Sequence, residues 1–129
     1  MDVLPCADPD DPDDLAEPAT AAAHLREEGA ALAAQLERLS ADMAALVAAS
    51  RDSNADDEHD PEGQTIAYER SQLAAVTSQT ESHLAEVTAA LARVGDGTYG
   101  VCEVCNERID PERLVARPTA RTCVHHVRR

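Results

Sequence analysis

The chain has no lysine, no phenylalanine and no tryptophan, and its two aromatic side chains are Tyr68 and Tyr99. With so little bulky apolar material, 129 residues are not expected to build a compact globular core of ordinary size. The absence of lysine and a net charge of −14 deprive the body of the broad basic surface needed to wrap DNA or bind an anionic membrane. No apolar run approaches the length of a transmembrane helix, and no basic run precedes an apolar stretch near Met1, so neither a span nor a secretory signal is expected. A nucleophile–base constellation is also missing, which predicts a protein that is not an enzyme.

What the chain does have is alanine and leucine, the composition of long helices packed at close range. Leu25, Leu32, Leu39 and Leu46 recur every seven residues, and Ala22, Gly29, Leu36, Met43 and Ser50 fill the companion row. Such a heptad seam predicts a helix that starts at Pro18, a residue tolerated in the first turn. A second seam follows Asp60-Pro61, a cap and first-turn pair. Its rows are Ile66, Leu73, Thr80, Val87, Val94 and Arg70, Thr77, Leu84, Leu91, and Gly95 is expected to end it. His24 and His83 fall beside the seams, as solvated helix residues.

Two seams of similar length joined by a short polar segment predict an antiparallel hairpin, with arms of about 33 residues reaching roughly 50 Å. The fold class expected is therefore mainly α: a long antiparallel two-helix coiled-coil hairpin over residues 18–94, followed by a small C-terminal module over 95–129 that Cys102, Cys105, Cys123 and His126, at metal-ligand spacing, mark as a zinc finger. Residues 1–17, acidic and proline-rich with few apolar groups, are expected to be a disordered tail. The hairpin turn at 52–62 holds a cluster of carboxylates that includes Asp57, Asp60 and Glu62. At a loop such a cluster is either a solvated turn or, at the end of a thin hairpin, a probe that carries negative charge to Mg²⁺ or to basic residues.

The zinc finger is read from Cys102, Cys105, Cys123 and His126: Cys-x2-Cys, seventeen residues, then Cys-x2-His. This is two-knuckle metal spacing, and thiolate sulfur with neutral imidazole is a ligand set that zinc favours. Four protein ligands close the site, so one structural zinc per chain is expected rather than a catalytic one. His125 adjoins His126 and is the competing fourth ligand, and the x2 spacing favours His126. Asn106 stands where the first knuckle turns left-handed, and Asp110-Pro111 reads as the cap and first residue of a helical turn. Thr98, Tyr99, Val101, Ile109, Leu114 and Val115 are the apolar cover for the metal, too little to fold without it. With three cysteines at metal spacing and Cys6 in a polar tail, cysteine usage suits a reducing cytoplasm.

The run Gly97-Thr98-Tyr99-Gly100-Val101-Cys102-Glu103-Val104-Cys105, then Pro111 to Ala120 and Cys123, resembles the zinc finger of the bacterial DksA/TraR regulators. The resemblance is close over 95–126 and extends as architecture through 18–94. It implies a transcription regulator that binds RNA polymerase rather than promoter DNA. The coiled coil would enter the secondary channel and bring acidic tip residues near the catalytic centre. It further implies that Asp57 and Asp60 supply the two tip acids of the family pattern, with Glu62 where that pattern has alanine; an ungapped count from Cys102 shifts this register by a few residues. His126 stands where many members have a fourth cysteine. Arg117 matches an arginine near the family's alarmone (ppGpp) site, whose accompanying lysines have no counterpart here. The partner that the resemblance implies is RNA polymerase, without sequence-specific DNA; the acidic charge predicts no membrane partner, and the short loop that lets the two seams pair within one chain predicts a monomer. Two other classes fit parts of the sequence, a zinc-capped dimeric coiled-coil adaptor and an arginine-rich DNA-binding finger.

Overall fold

The computed structural model describes residues 12–52 and 61–127. Helix α1 (Pro12–Leu15) precedes two long helices, α2 (Pro18–Asp52) and α3 (Pro61–Asp96); a short α4 (Pro111–Ala116) and a 3₁₀ turn at Val124–His126 complete the order. The described residues contain no named strand, only one antiparallel bridge between Val101 and Arg108. The long helices pack on each other as an antiparallel pair.

The heptad rows are the packed positions. Residues 30–85 form one compact unit, in which Leu32, Leu39 and Thr80 are buried while Leu36, Met43, Leu46, Ile66, Leu73 and Thr77 are half-buried. The seam threonines do not leave hydroxyls unpaired: Thr77 and Thr80 each donate to the carbonyl four residues earlier, Leu73 and Val76, at 2.8 Å. This back-bonding lets a helix bury a hydroxyl without a cross-chain partner. Arg70, placed in a seam row by its spacing, is exposed although Ile66 and Leu73 on either side are half-buried; a guanidinium is solvated more favourably in water than against an apolar seam.

The other unit comprises the chain up to Gly29 and from Glu86 onward. Leu25 and Ala90 are fully buried here, and Val87 is 1 % exposed. Ala21 and Ala90 lie outside the heptad rows yet are buried, because alanine lets backbones approach where the finger segment packs. Residues 12–17 are not the disordered tail expected: α1 is helical, the Ala16 N–H donates to the Pro12 carbonyl at 2.9 Å, and Leu15 is half-buried. Leu15 lines a cavity of about 290 Å³ with Tyr99, Leu114 and Pro118. An apolar cradle supplied by distant residues orders this acidic stretch, and composition alone does not show it. Residues 1–11, including Cys6, lie outside the described residues.

Helix α3 also ends later than expected. Gly95 is still helical; Gly97, at φ +82, is the left-handed residue that stops the helix. The Thr98 N–H donates to the Arg93 carbonyl at 2.9 Å, the six-to-one bond of a Schellman cap. The two glycines should therefore respond oppositely to alanine, since a Cβ meets no atom within 4 Å at either. Gly97→Ala should cost about 1 kcal/mol from left-handed strain, whereas Gly95→Ala should stabilise by about 0.5–1 kcal/mol from helix propensity. Thermal unfolding of the two variants checks this, and a loss of stability in Gly95→Ala would return the helix end to that residue.

Candidate metal centre

Each knuckle is built by its own backbone. In the first, the Cys102 N–H donates to the Glu107 carbonyl at 2.8 Å and the Asn106 N–H to the Cys102 carbonyl at 2.9 Å. The loop closes with Asn106 at φ 61, as its side chain tolerates. The second knuckle is the 3₁₀ turn, where the His126 N–H donates to the Cys123 carbonyl at 3.0 Å. A bond from the Glu103 N–H to the Arg121 carbonyl at 3.0 Å ties one knuckle to the other.

Between them, Asp110 caps α4 by accepting from the Glu112 N–H at 3.1 Å, with Pro111 in the first turn. Arg113 then donates through Nε to the Thr122 carbonyl at 2.9 Å, which anchors α4 against the second knuckle. Tyr99 donates its hydroxyl to the Pro118 carbonyl at 2.9 Å, and Arg93 of α3 reaches the Thr119 carbonyl at 3.2 Å. Tyr99, Ile109, Leu114 and Ala120 provide the buried apolar cover. Thr98 and Val115, expected to share that role, are exposed: the Thr98 hydroxyl turns to Asp96, and Val115 lies at the rim of the cavity that holds Leu15.

The ligand atoms of Cys102, Cys105, Cys123 and His126 all lie within 4.8 Å of one another. Cys105 Sγ is 3.9 Å from Cys123 Sγ; His126 Nδ1 is 3.2 Å from Cys123 Sγ and 3.9 Å from Cys102 Sγ. Tetrahedral zinc at ordinary bond lengths spaces sulfur pairs by about 3.8 Å and sulfur–nitrogen pairs by about 3.6 Å. The donor set and its spacing thus fit one zinc ion, and the three thiols are free rather than paired as disulfides. His126 brings Nδ1 into this group, whereas His125 is exposed and does not join it.

Electrostatics favour the metal-binding form of Cys102. Burial pushes its thiol up, but backbone N–H groups of Cys105, Cys123 and Val104 directed at the sulfur outweigh burial and hold its pKa at about 6. At Cys105 the Glu107 backbone lowers the pKa, and burial together with the neighbouring thiols more than reverses that, for a net rise. One ready thiolate beside a reluctant one means that zinc uptake must displace a proton, so affinity weakens as the pH is lowered. His126→Ala should lose at least tenfold more zinc affinity than His125→Ala, read by competition with a chromophoric chelator; equal losses would remove His126 from the ligand set.

The remaining residues of interest are less gathered. Asp57 and Asp60 lie outside the described residues, and Glu62 is exposed in the first turn of α3. Arg117 is exposed at the end of α4 and lines a cavity of about 300 Å³ with Arg113, Arg121, Glu86 and Glu103. The helix-anchoring role of Arg113 had no sequence signal, since only the fold brings the Thr122 carbonyl to it.

Residues 97–125 match the prokaryotic DksA/TraR C4-type zinc finger family. The match stops one residue short of His126, where this chain has histidine in place of a fourth cysteine. YteA of Bacillus subtilis (strain 168) is 37 % identical over 70 residues, 54 % of this chain and 29 % of that protein. General stress protein 16O of the same organism is 40 % identical over 72 residues, 56 % of this chain and 44 % of that protein. The matched region spans less than half the length of either relative. The solved structure of transcription factor DksA2 from Pseudomonas aeruginosa aligns with TM-score 0.49 and 24 % identity, over 80 % of this chain and 79 % of that one. The matched segment contains three of the four clustered ligands, Cys102, Cys105 and Cys123, and so coincides with the candidate metal centre. Among the described residues no helix is long and apolar enough to cross a membrane.

Proposed function

We propose that this protein is a transcription regulator that binds RNA polymerase directly, with the loop end of its α2–α3 hairpin in the secondary channel and Asp57, Asp60 and Glu62 near the catalytic centre. The observation that carries this reading is the match of residues 97–125 to the DksA/TraR finger, a resemblance that implies action on polymerase. The long helix pair supports it, since it connects to the acidic loop of the sequence. Zinc has a structural role here because four protein ligands leave no open position for chemistry. The working form is a cytoplasmic monomer that does not read DNA sequence and catalyses no reaction of its own.

The test combines binding with activity. Purified chain should co-elute with RNA polymerase core enzyme, and absence of co-elution at micromolar concentration overturns the proposal. Asp57→Asn and Asp60→Asn together should abolish most of the effect on open-complex lifetime at a sensitive promoter, while affinity for polymerase changes by less than about tenfold. A double variant that regulates as well as the parent would reduce the acidic loop to a solvated turn.

A further inference from the structure

The helix pair of residues 30–85 packs along its seam, but one edge of that seam is open. There, Leu39 and Leu46 of α2 and Leu73 and Val76 of α3 line a trough of about 570 Å³. Leu39 is nearly buried, Leu46 and Leu73 are half-buried, and Val76 is 40 % exposed, so an aliphatic floor faces water. The trough follows both helices for eight residues, from Leu39 to Leu46 and from Glu69 to Val76, about 10 Å or two helical turns. Asp42 on one wall and Glu69 on the other supply its charged groups, both exposed, and no cationic side chain lines it.

We infer that this trough is a docking groove for an amphipathic helix of a partner protein, one whose apolar stripe is flanked by lysine or arginine. Two turns of floor match apolar anchors spaced i, i+3, i+4 and i+7, the pattern by which a helix lies in a groove. The acids on both walls select the flanking charge, and opposite charge across a groove sets both partner choice and encounter rate. A second copy of this chain is a poor occupant. Seating the same surface twice brings Asp42 and Glu69 against their own equivalents, in a chain whose net charge is already −14. A second cavity on the same unit, about 610 Å³, has an apolar floor that includes Leu36, Leu39 and Met43 but interrupts it with the hydroxyls of Ser40, Thr77 and Ser78. It lacks the paired acidic walls. The docking groove goes beyond the polymerase reading and does not depend on it, because it concerns the middle of the helix pair rather than the acidic loop or the finger.

The probe is a fluorescent 18-residue helical peptide with leucine at the anchor positions and lysine at the flanking ones, titrated into the full zinc-loaded chain. A second peptide carries glutamate at the flanks. The parent protein should bind the lysine peptide at micromolar concentration and the glutamate peptide at least tenfold more weakly. Val76→Glu separates a seated helix from simple attraction of a basic peptide to an acidic protein. An added negative charge strengthens mere attraction, yet it obstructs the groove and should weaken binding at least tenfold. Ala75→Glu, on an exposed position outside the lining, adds the same charge and should not weaken binding. Circular dichroism of both variants confirms that the helices persist. No binding by the parent, or equal affinity in Val76→Glu and Ala75→Glu, overturns the inference. So does a micromolar dimer of the parent that Val76→Glu dissociates, which would assign the groove to a second copy. Polymerase co-elution is a separate readout, so failure here leaves the proposed function standing.

Discussion

Cys102→Ser should strip zinc from the protein and unfold residues 98–126 while α2 and α3 remain helical. Cys102 is the most buried of the three thiols, and both its sulfur and its backbone hold the first knuckle. Serine supplies no thiolate at neutral pH, so the ion loses a ligand that the site cannot replace. Zinc contributes on the order of 10 kcal/mol to sites of this kind. The apolar cover of Tyr99, Ile109, Leu114 and Ala120 cannot offset that loss. The helices draw on a different source, the heptad seam. Metal analysis under reducing conditions should give one equivalent for the parent and well below half for the variant, and amide exchange should lose protection across the finger alone. The end of α3 should loosen slightly, since Arg93 would lose its acceptor at Thr119. A variant that keeps a full equivalent of zinc would refute the closed four-ligand site. Removing the metal from the parent with a chelator should reproduce the same pattern and reverse on addition of zinc.

The second large effect is expected at Leu25→Ala. Leu25 is fully buried in the unit that also holds Val87 and Ala90, and truncating a leucine in such a place costs about 3 kcal/mol through lost transfer energy and a residual cavity. For a chain of this size the helical melting transition should fall by about 10 °C. Leu46→Ala, at a half-buried position of the same heptad row, should cost about 1 kcal/mol, because part of what it removes already faces water and no enclosed cavity is left behind. Equal losses at the two positions would mean that burial does not rank the seam. Neither substitution touches a metal ligand, so zinc stoichiometry should remain at one per chain in both.

The metal ligands, the left-handed Asn106, the Asp110-Pro111 start of α4 and the two heptad rows were all legible without coordinates. Each is decided by residues a few positions apart: a knuckle, a cap and a heptad are local geometry, and local geometry writes itself into spacing. Four features could not be read that way. Leu15 orders α1 because Tyr99, Leu114 and Pro118 surround it, and that neighbourhood exists only after the chain has folded. The end of α3 passes from Gly95 to Gly97 because the Arg93 carbonyl finds the Thr98 N–H there, a choice between two glycines that composition leaves equal. Ala21 and Ala90 are buried off the seam by the approach of other segments. Arg113 is an anchor because the second knuckle presents the Thr122 carbonyl. The sequence by itself determined which residues gather as candidate ligands, where α4 starts and most of the seam. Tertiary structure alone decided which apolar and charged groups meet across long chain separations, because those contacts depend on packing that no fixed spacing encodes.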